Sequence, residues 1–142
     1  MKKLIFLMIG LVTVSITKAQ KVSEKEVPAV VKSVLQRNYP DTNDLIWEKE
    51  AENYDAEFEV AENGYSVLID PTGNIIETEV EISIDTLPAD AKSYVAKNYP
   101  GKEIKETIKI TAAKGTVTYE AEVNGLDFIF DNSGKFLKAV KD

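Results

Sequence analysis

The sequence contains no cysteine and no histidine, and these two absences exclude several classes of chemistry. Serine and cysteine nucleophiles that depend on a histidine base cannot be built, and neither can an ordinary zinc site. No disulfide can stabilise the fold, although small exported proteins commonly use disulfides. The folded chain must therefore depend on packing of its apolar residues, which make up 44% of the sequence and are sufficient for a core.

The sequence also has no apolar run of the about 20 residues that a membrane-spanning helix needs. Its one long apolar run, residues 4–16, follows Lys2 and Lys3 and precedes the triplet Thr-Lys-Ala. A basic start, an apolar segment and a small-x-small cleavage site are typical of a secretory signal. We therefore predict a signal peptide over residues 1–19 and a periplasmic or secreted mature protein. A membrane anchor is the alternative interpretation.

Basic side chains are fewer than acidic ones, 17 against 24, which gives a formal net charge of −7. Removal of residues 1–19 takes away three lysines and no acidic residue, so the charge becomes −10. Such a surface repels nucleic acids and anionic lipids and favours basic partners. Charge also keeps exported proteins soluble, so it does not name a partner by itself.

What the sequence does contain is an internal repeat. Three short sequence motifs recur in the same order at an offset of about sixty residues: RNYPD with KNYPG, YDAEF with YEAEV, and IDPTGN with FDNSGK. A repeat of this length indicates one supersecondary unit used twice. We predict a first repeat over residues 20–84 and a second over residues 85–142.

Each repeat begins with a helical pattern and continues with strand patterns. Apolar residues recur at spacings of three and four after Pro28 and Pro88, and Pro40 and Pro100 end the helices because a helical residue is disfavoured before proline. The tyrosine before each of the latter two prolines is expected to pack under the helix end. Four strands follow each helix, near residues 44–50, 54–60, 65–70 and 74–82, and near 103–111, 116–123, 126–131 and 135–140. The predicted class is α+β, a tandem repeat of one helix plus a four-stranded antiparallel sheet, with the helices packed on one sheet face.

Acidic residues occupy the polar positions of these strand patterns. The candidate partner-binding residues are Asp55, Glu57, Glu59, Glu120 and Glu122. They alternate with apolar residues, so we expect them on the open sheet face opposite the helices, where a basic protein or peptide could bind. A solvated polar face without a partner is the alternative.

The sequence gives weaker support for catalysis and for metal binding. Glu57 and Glu59 share a face and could act as an acid–base pair, but an exposed row provides no desolvated carboxyl, so we predict no enzyme and no catalytic residue. The Asp-x-x-Gly turns resemble the start of a calcium loop but lack its spaced acids, so no metal or cofactor is predicted. We interpret them as type I turns with the glycine at a positive φ. The alternative function is an envelope protein that binds calcium or a small ligand between the repeats. The strand aromatics are predicted in the core, although they could form a ligand platform: Trp47, Tyr54, Tyr65, Tyr119, Phe128 and Phe130.

The features that carry a family resemblance are the segments VPAVVKSVLQRNYP, LPADAKSYVAKNYP and IWEKEAENYDAEFE, the last with Trp47 and Glu48, and the repeated Asp-x-x-Gly turns. In these features the sequence resembles the secreted bacterial PepSY-like proteins, also described as beta-lactamase-inhibitor-like. The beta-lactamase inhibitory protein fold is a tandem repeat of a helical segment and a four-stranded sheet, which binds its target enzyme across the open sheet face. The resemblance therefore implies a binding or inhibitory role, and we expect the secreted protein to be a monomer. The disulfides of that inhibitor have no counterpart here.

Overall fold

The computed structural model describes residues 19–141, and the chain divides into two compact units, Met1–Ile76 and Glu77–Asp142. We call them unit 1 and unit 2. Except for its last residue, the predicted signal peptide lies outside the described residues. Within that described range, no helix is long and apolar enough to cross a membrane.

The described residues form two α-helices and nine strands, and the paired strands run antiparallel. The elements are β1 (Gln20–Val22), α1 (Ala29–Asn38), β2 (Asn43–Glu50), β3 (Asn53–Val60), β4 (Asn63–Ile69), β5 (Ile75–Glu81), α2 (Ala89–Asn98), β6 (Ile104–Ala112), β7 (Val117–Val123), β8 (Leu126–Asp131) and β9 (Phe136–Lys141), with short 3-10 helices at Glu24–Glu26 and Ile84–Thr86. The α+β class is confirmed. Strand β1 was not predicted, because three residues are too few to show a periodicity.

Both helices begin and end at the prolines of the sequence pattern. Pro28 and Pro88 are the N-cap residues, and the helices end at Asn38 and Asn98. The side-chain amide of Asn38 donates to the carbonyl oxygen of Val34 at 2.8 Å. This side-chain bond adds a hydrogen bond near the end of the helix.

In unit 1, α1 packs on one face of the strands. Val31 and Leu35 from the helix form a core with Ala56 and Phe58 from β3. The ring of Tyr39, the residue after the helix, lies 5.1 Å from that of Phe58. The predicted packing of the tyrosine under the helix end is confirmed there.

Unit 2 has a corresponding core with more aromatic residues. Val95 of α2 belongs to the same buried cluster as Phe128 and Phe130 of β8, both of which are fully buried. The ring of Tyr94 stacks on that of Phe136 at 4.5 Å. The prediction of a core position is confirmed for the strand aromatics of both units, which are buried (Trp47, Tyr54, Phe128 and Phe130) or partly buried (Tyr65 and Tyr119).

The Asp-x-x-Gly turn before β9 lies directly against the start of α2. Gly134 has a φ of +90°, and a Cβ atom there would lie 2.8 Å from the backbone nitrogen of Ala91. Glycine is required for both reasons, since side chains disfavour this backbone conformation. The positive φ predicted for this turn is confirmed.

Strand β5 crosses the boundary between the compact units. Its residues 77–81 pair antiparallel with residues 108–112 of β6, so they belong with unit 2 in the folded chain. The predicted repeats, residues 20–84 and 85–142, place the boundary at a later position in the sequence than the boundary between the two units. Those boundaries, and the repeat of one helix plus four strands, stay predictions.

Candidate functional site

The alternation of β3 places its three acidic residues on the sheet face opposite the core of unit 1. Asp55, Glu57 and Glu59 alternate with Ala56 and Phe58, which pack against α1. Successive side chains of a strand point to opposite faces. The structure therefore brings three of the five predicted residues to one face.

Strand β2 adds two more carboxyl groups to this face. Glu48 pairs with Asp55 across the strands, and Glu50 lies two residues further along β2. We call these residues the acidic face of unit 1: Glu48, Glu50, Asp55, Glu57 and Glu59. Side chains directly opposite each other on antiparallel strands are close enough to interact, so the charges of this face influence one another.

Asp55 is the most perturbed group of this face. Only 2% of its surface is exposed, and the hydroxyl of Ser66 donates to its Oδ1 at 2.7 Å. Burial raises the pKa of Asp55 to about 7, and the hydrogen bond from Ser66 opposes that rise. The negative charges of Glu57, Glu50 and Glu48 raise it further, because like charges disfavour ionisation.

The burial of Asp55 differs from the expectation that the predicted residues are exposed. Leu68 of β4 pairs with Asp55 in register and is fully buried, so this face of the sheet is covered at its centre. Glu57 and Glu59 are half-buried. Alternation in the sequence predicts which face a side chain occupies, but its exposure depends on residues of neighbouring strands.

Unit 2 has its own acidic face, on the side of β7 opposite the core. Glu120 is 7% exposed and Glu122 is half-buried. Glu120 pairs with Ile108 of β6, and Glu122 pairs with Glu106. Two more carboxyl residues, Glu79 and Asp127, lie on the same side of the strands. We call the set the acidic face of unit 2: Glu79, Glu106, Glu120, Glu122 and Asp127.

Apolar residues fill the centre of this second face. Ile108, Ile110 and Ile129 are at most 3% exposed, and they lie on the same side as Glu120 by register. A charge near buried apolar groups is poorly screened by water. The structure thus places acidic groups beside buried apolar ones.

Two buried carboxyl residues of the two faces were missed by the sequence interpretation: Glu50 and Asp127. A signal existed for Glu50, which continues the alternation of Ile46 and Glu48. No local signal distinguishes Ser66, whose role depends on its distance from Asp55.

The Asp-x-x-Gly turns are closed by their own hydrogen bonds. Oδ1 of Asp70 accepts from the backbone nitrogen of Thr72 at 2.8 Å and from that of Asn74 at 3.0 Å. These bonds hold the pKa of Asp70 well below its usual range, the contribution of Asn74 being the largest. Among residues 19–141 there is no group of three or more acidic side chains arranged to hold a metal ion.

The comparisons with known proteins agree with this architecture. Residues 13–77 and 52–138 match the family model described as "Putative beta-lactamase-inhibitor-like, PepSY-like". A search of curated protein sequences found no match.

Three solved structures from Bacteroides species are similar in fold. A "putative periplasmic" protein from Bacteroides eggerthii matches with a TM-score of 0.73 at 16% identity, and a DUF2874 family protein from Bacteroides uniformis with 0.71 at 19%. Both alignments cover 80% of this chain and 88% of the other. A BLIP-like protein from Bacteroides fragilis matches with 0.67 at 21% identity, over 81% of this chain and 88% of that one. Since the two matches to the family model together span most of the sequence, this chain belongs to the PepSY-like, beta-lactamase-inhibitor-like family.

Proposed function

We propose that this chain is an exported, monomeric binding protein that presents acidic sheet faces to a basic protein or peptide and catalyses no reaction. The observation that carries the proposal is the collection of carboxyl groups on the face opposite the helix in each unit. The beta-lactamase-inhibitor-like description of the family and the BLIP-like relative support a binding or inhibitory role. More specifically, we propose that binding inhibits the partner.

The five predicted binding residues have different roles in this proposal. Glu57, Glu59 and Glu122 are half-buried, so a partner can contact them directly. Asp55 and Glu120 are buried, so a partner does not contact them directly, and Asp55, whose pKa is raised to about 7, carries only part of its charge at neutral pH. Electrostatic attraction of this kind steers association and weakens as salt screens it.

An exported location agrees with two independent observations. Residues 1–19 have the pattern of a secretory signal, and the relative from Bacteroides eggerthii is described as a "putative periplasmic" protein. We propose the periplasm as the compartment in which the partner is met.

The test is capture of partners from periplasmic extract by an immobilised chain that begins at Gln20. The comparison is with a triple variant, E57Q/E59Q/E122Q, which removes three charges and keeps side-chain size. We expect the native bait to retain a basic protein at about 50 mM salt and to release it at about 500 mM, where the screening length is only a few ångströms. The variant should not retain it.

A matched control removes three charges elsewhere. Glu52, Glu62 and Glu103 are exposed and lie outside the acidic faces, so E52Q/E62Q/E103Q has the same net charge as the test variant. Equal loss of binding in both variants would show that net charge alone attracts the protein. Equal retention by the native chain and the test variant would contradict the proposal.

A further inference from the structure

A cleft of about 220 Å³ lies in unit 1, beside the end of α1 and the start of β2. Its lining includes apolar Leu35, Pro40 and Leu45 and aromatic Tyr39 and Trp47. A neighbouring cavity of about 360 Å³ shares Leu45 and Trp47. At about 30 Å³ for each water molecule, the cleft has room for about seven waters, so it suits a small organic molecule.

Trp47 carries a polar group that the fold leaves unused. Its side chain is 4% exposed, and its buried Nε1 has no hydrogen-bond partner. Trp47 pairs with Ala56 across the strands of unit 1. The residue in the corresponding position of unit 2 is Thr107, which pairs with Ala121. The hydroxyl of Thr107 donates to the carbonyl oxygen of Ile82 at 2.6 Å. Buried donors without an acceptor are rare, and unit 1 has one where unit 2 does not.

The backbone beside the cleft is irregular. The pairing of β2 with β3 shifts register between Asn43 and Ile46, and Asp44 has a φ of 53°, in the left-handed region that few residues other than Gly, Asn and Asp adopt. Leu45 is 38% exposed although it is apolar. Strand irregularities of this kind occur often beside functional sites, where they redirect a side chain. A movement of Leu45, which borders both cavities, would open Trp47 to an occupant.

Charged groups of both signs complete the lining. Lys32 and Gln36 lie one turn apart on α1 and both line the cleft, and Glu24 lines it as well. A lysine with an amide can hold a carboxylate, and a glutamate can hold an ammonium group. A molecule with both charges and an apolar side chain complements this set.

We propose that the cleft beside Trp47 binds a small zwitterion with an apolar side chain, of the class of the apolar α-amino acids. Its carboxylate pairs with Lys32 and accepts from Gln36 or Nε1 of Trp47, its ammonium group pairs with Glu24, and its side chain lies against Leu45. This site is separate from the acidic faces, and its occupant is not the partner proposed above.

The test is a titration of the full chain with L-leucine, in which binding is measured both by intrinsic fluorescence and by calorimetry. Trp47 is the only tryptophan of the sequence, so a change in its emission reports on this cleft. We expect a saturable change in both signals. The variant K32Q should bind leucine about tenfold or more weakly, because a neutral amide replaces the ammonium group that pairs with the carboxylate.

The matched control is K92Q, at the corresponding position of α2, which should bind leucine as the native chain does. Leucinamide, which lacks the carboxylate, and N-acetyl-leucine, which lacks the ammonium group, should each bind more weakly than leucine. The absence of a saturable signal at millimolar leucine in both measurements would overturn the proposal. Equal weakening by K32Q and K92Q, or equal binding of leucine and N-acetyl-leucine, would also overturn it.

Discussion

The pH dependence of stability in unit 1 should be governed by Asp55, and replacing it by asparagine tests this directly. Burial raises the pKa of Asp55 from an ordinary value of 3.8 to about 7. Between these two pH values the folded protein holds a proton that the unfolded chain has released, so the free energy of unfolding falls as pH rises. The difference corresponds to about 4 kcal/mol, at about 1.4 kcal/mol for each pKa unit. This stability is present below pH 4 and is lost by about pH 7 to 8.

Asparagine keeps the size of Asp55 and its acceptor for the hydroxyl of Ser66 but has no charge. We therefore expect D55N and the native chain to differ little in stability near pH 4, and D55N to be the more stable by several kcal/mol at pH 8. Urea denaturation between pH 4 and pH 8, followed by the fluorescence of Trp47, measures the difference because Trp47 lies in the core of unit 1. The m-values show whether the two proteins unfold by the same transition.

The result that would refute this reasoning is a stability difference between D55N and the native chain that does not change with pH. It would mean that Asp55 is ionised in the folded protein as readily as in the unfolded one. A second variant, S66A, separates the contributions. It removes the hydrogen bond that lowers the pKa of Asp55, so its loss of stability should be larger at pH 8, where the carboxylate needs that bond, than at pH 4.

Three further predictions concern the turns and unit 2. D70N should be less stable than the native chain at neutral pH, and the difference should shrink as pH falls below about 4, because hydrogen bonds hold the pKa of Asp70 below its usual range. G134A should lose about 3 kcal/mol of unfolding free energy, from the positive φ and the collision with α2. T107V should lose about 1 kcal/mol with the 2.6 Å hydrogen bond to Ile82. Each is measured by urea denaturation followed by circular dichroism.

Each of these predictions has an outcome that contradicts it. A stability difference for D70N that persists unchanged at pH 2 would remove the hydrogen-bonded carboxylate as its cause. Gly115 has a φ of +83°, and a Cβ atom there would meet no other atom within 4 Å, so G115A should lose only about 1 kcal/mol. Equal losses for G115A and G134A would mean that contact with α2 is unimportant. A neutral T107V would show that the carbonyl of Ile82 finds another donor.

The elements of this fold could be predicted from the sequence because their signals are local. Prolines set both ends of each helix, alternation marked the strands, and the Asp-x-x-Gly turns required a positive φ at glycine. These are properties of neighbouring residues in the chain. The face on which Asp55, Glu57 and Glu59 lie followed from the same alternation.

The environment of those residues was decided by the tertiary structure. Leu68 pairs with the buried Asp55 and the hydroxyl of Ser66 donates to it, although both residues are more than ten positions away in sequence. The sequence determined by itself which side chains of β3 share a face and where the two helices begin and end. Burial, pKa values and the unpaired Nε1 of Trp47 depend on contacts between distant segments, and only the folded chain brings those segments together.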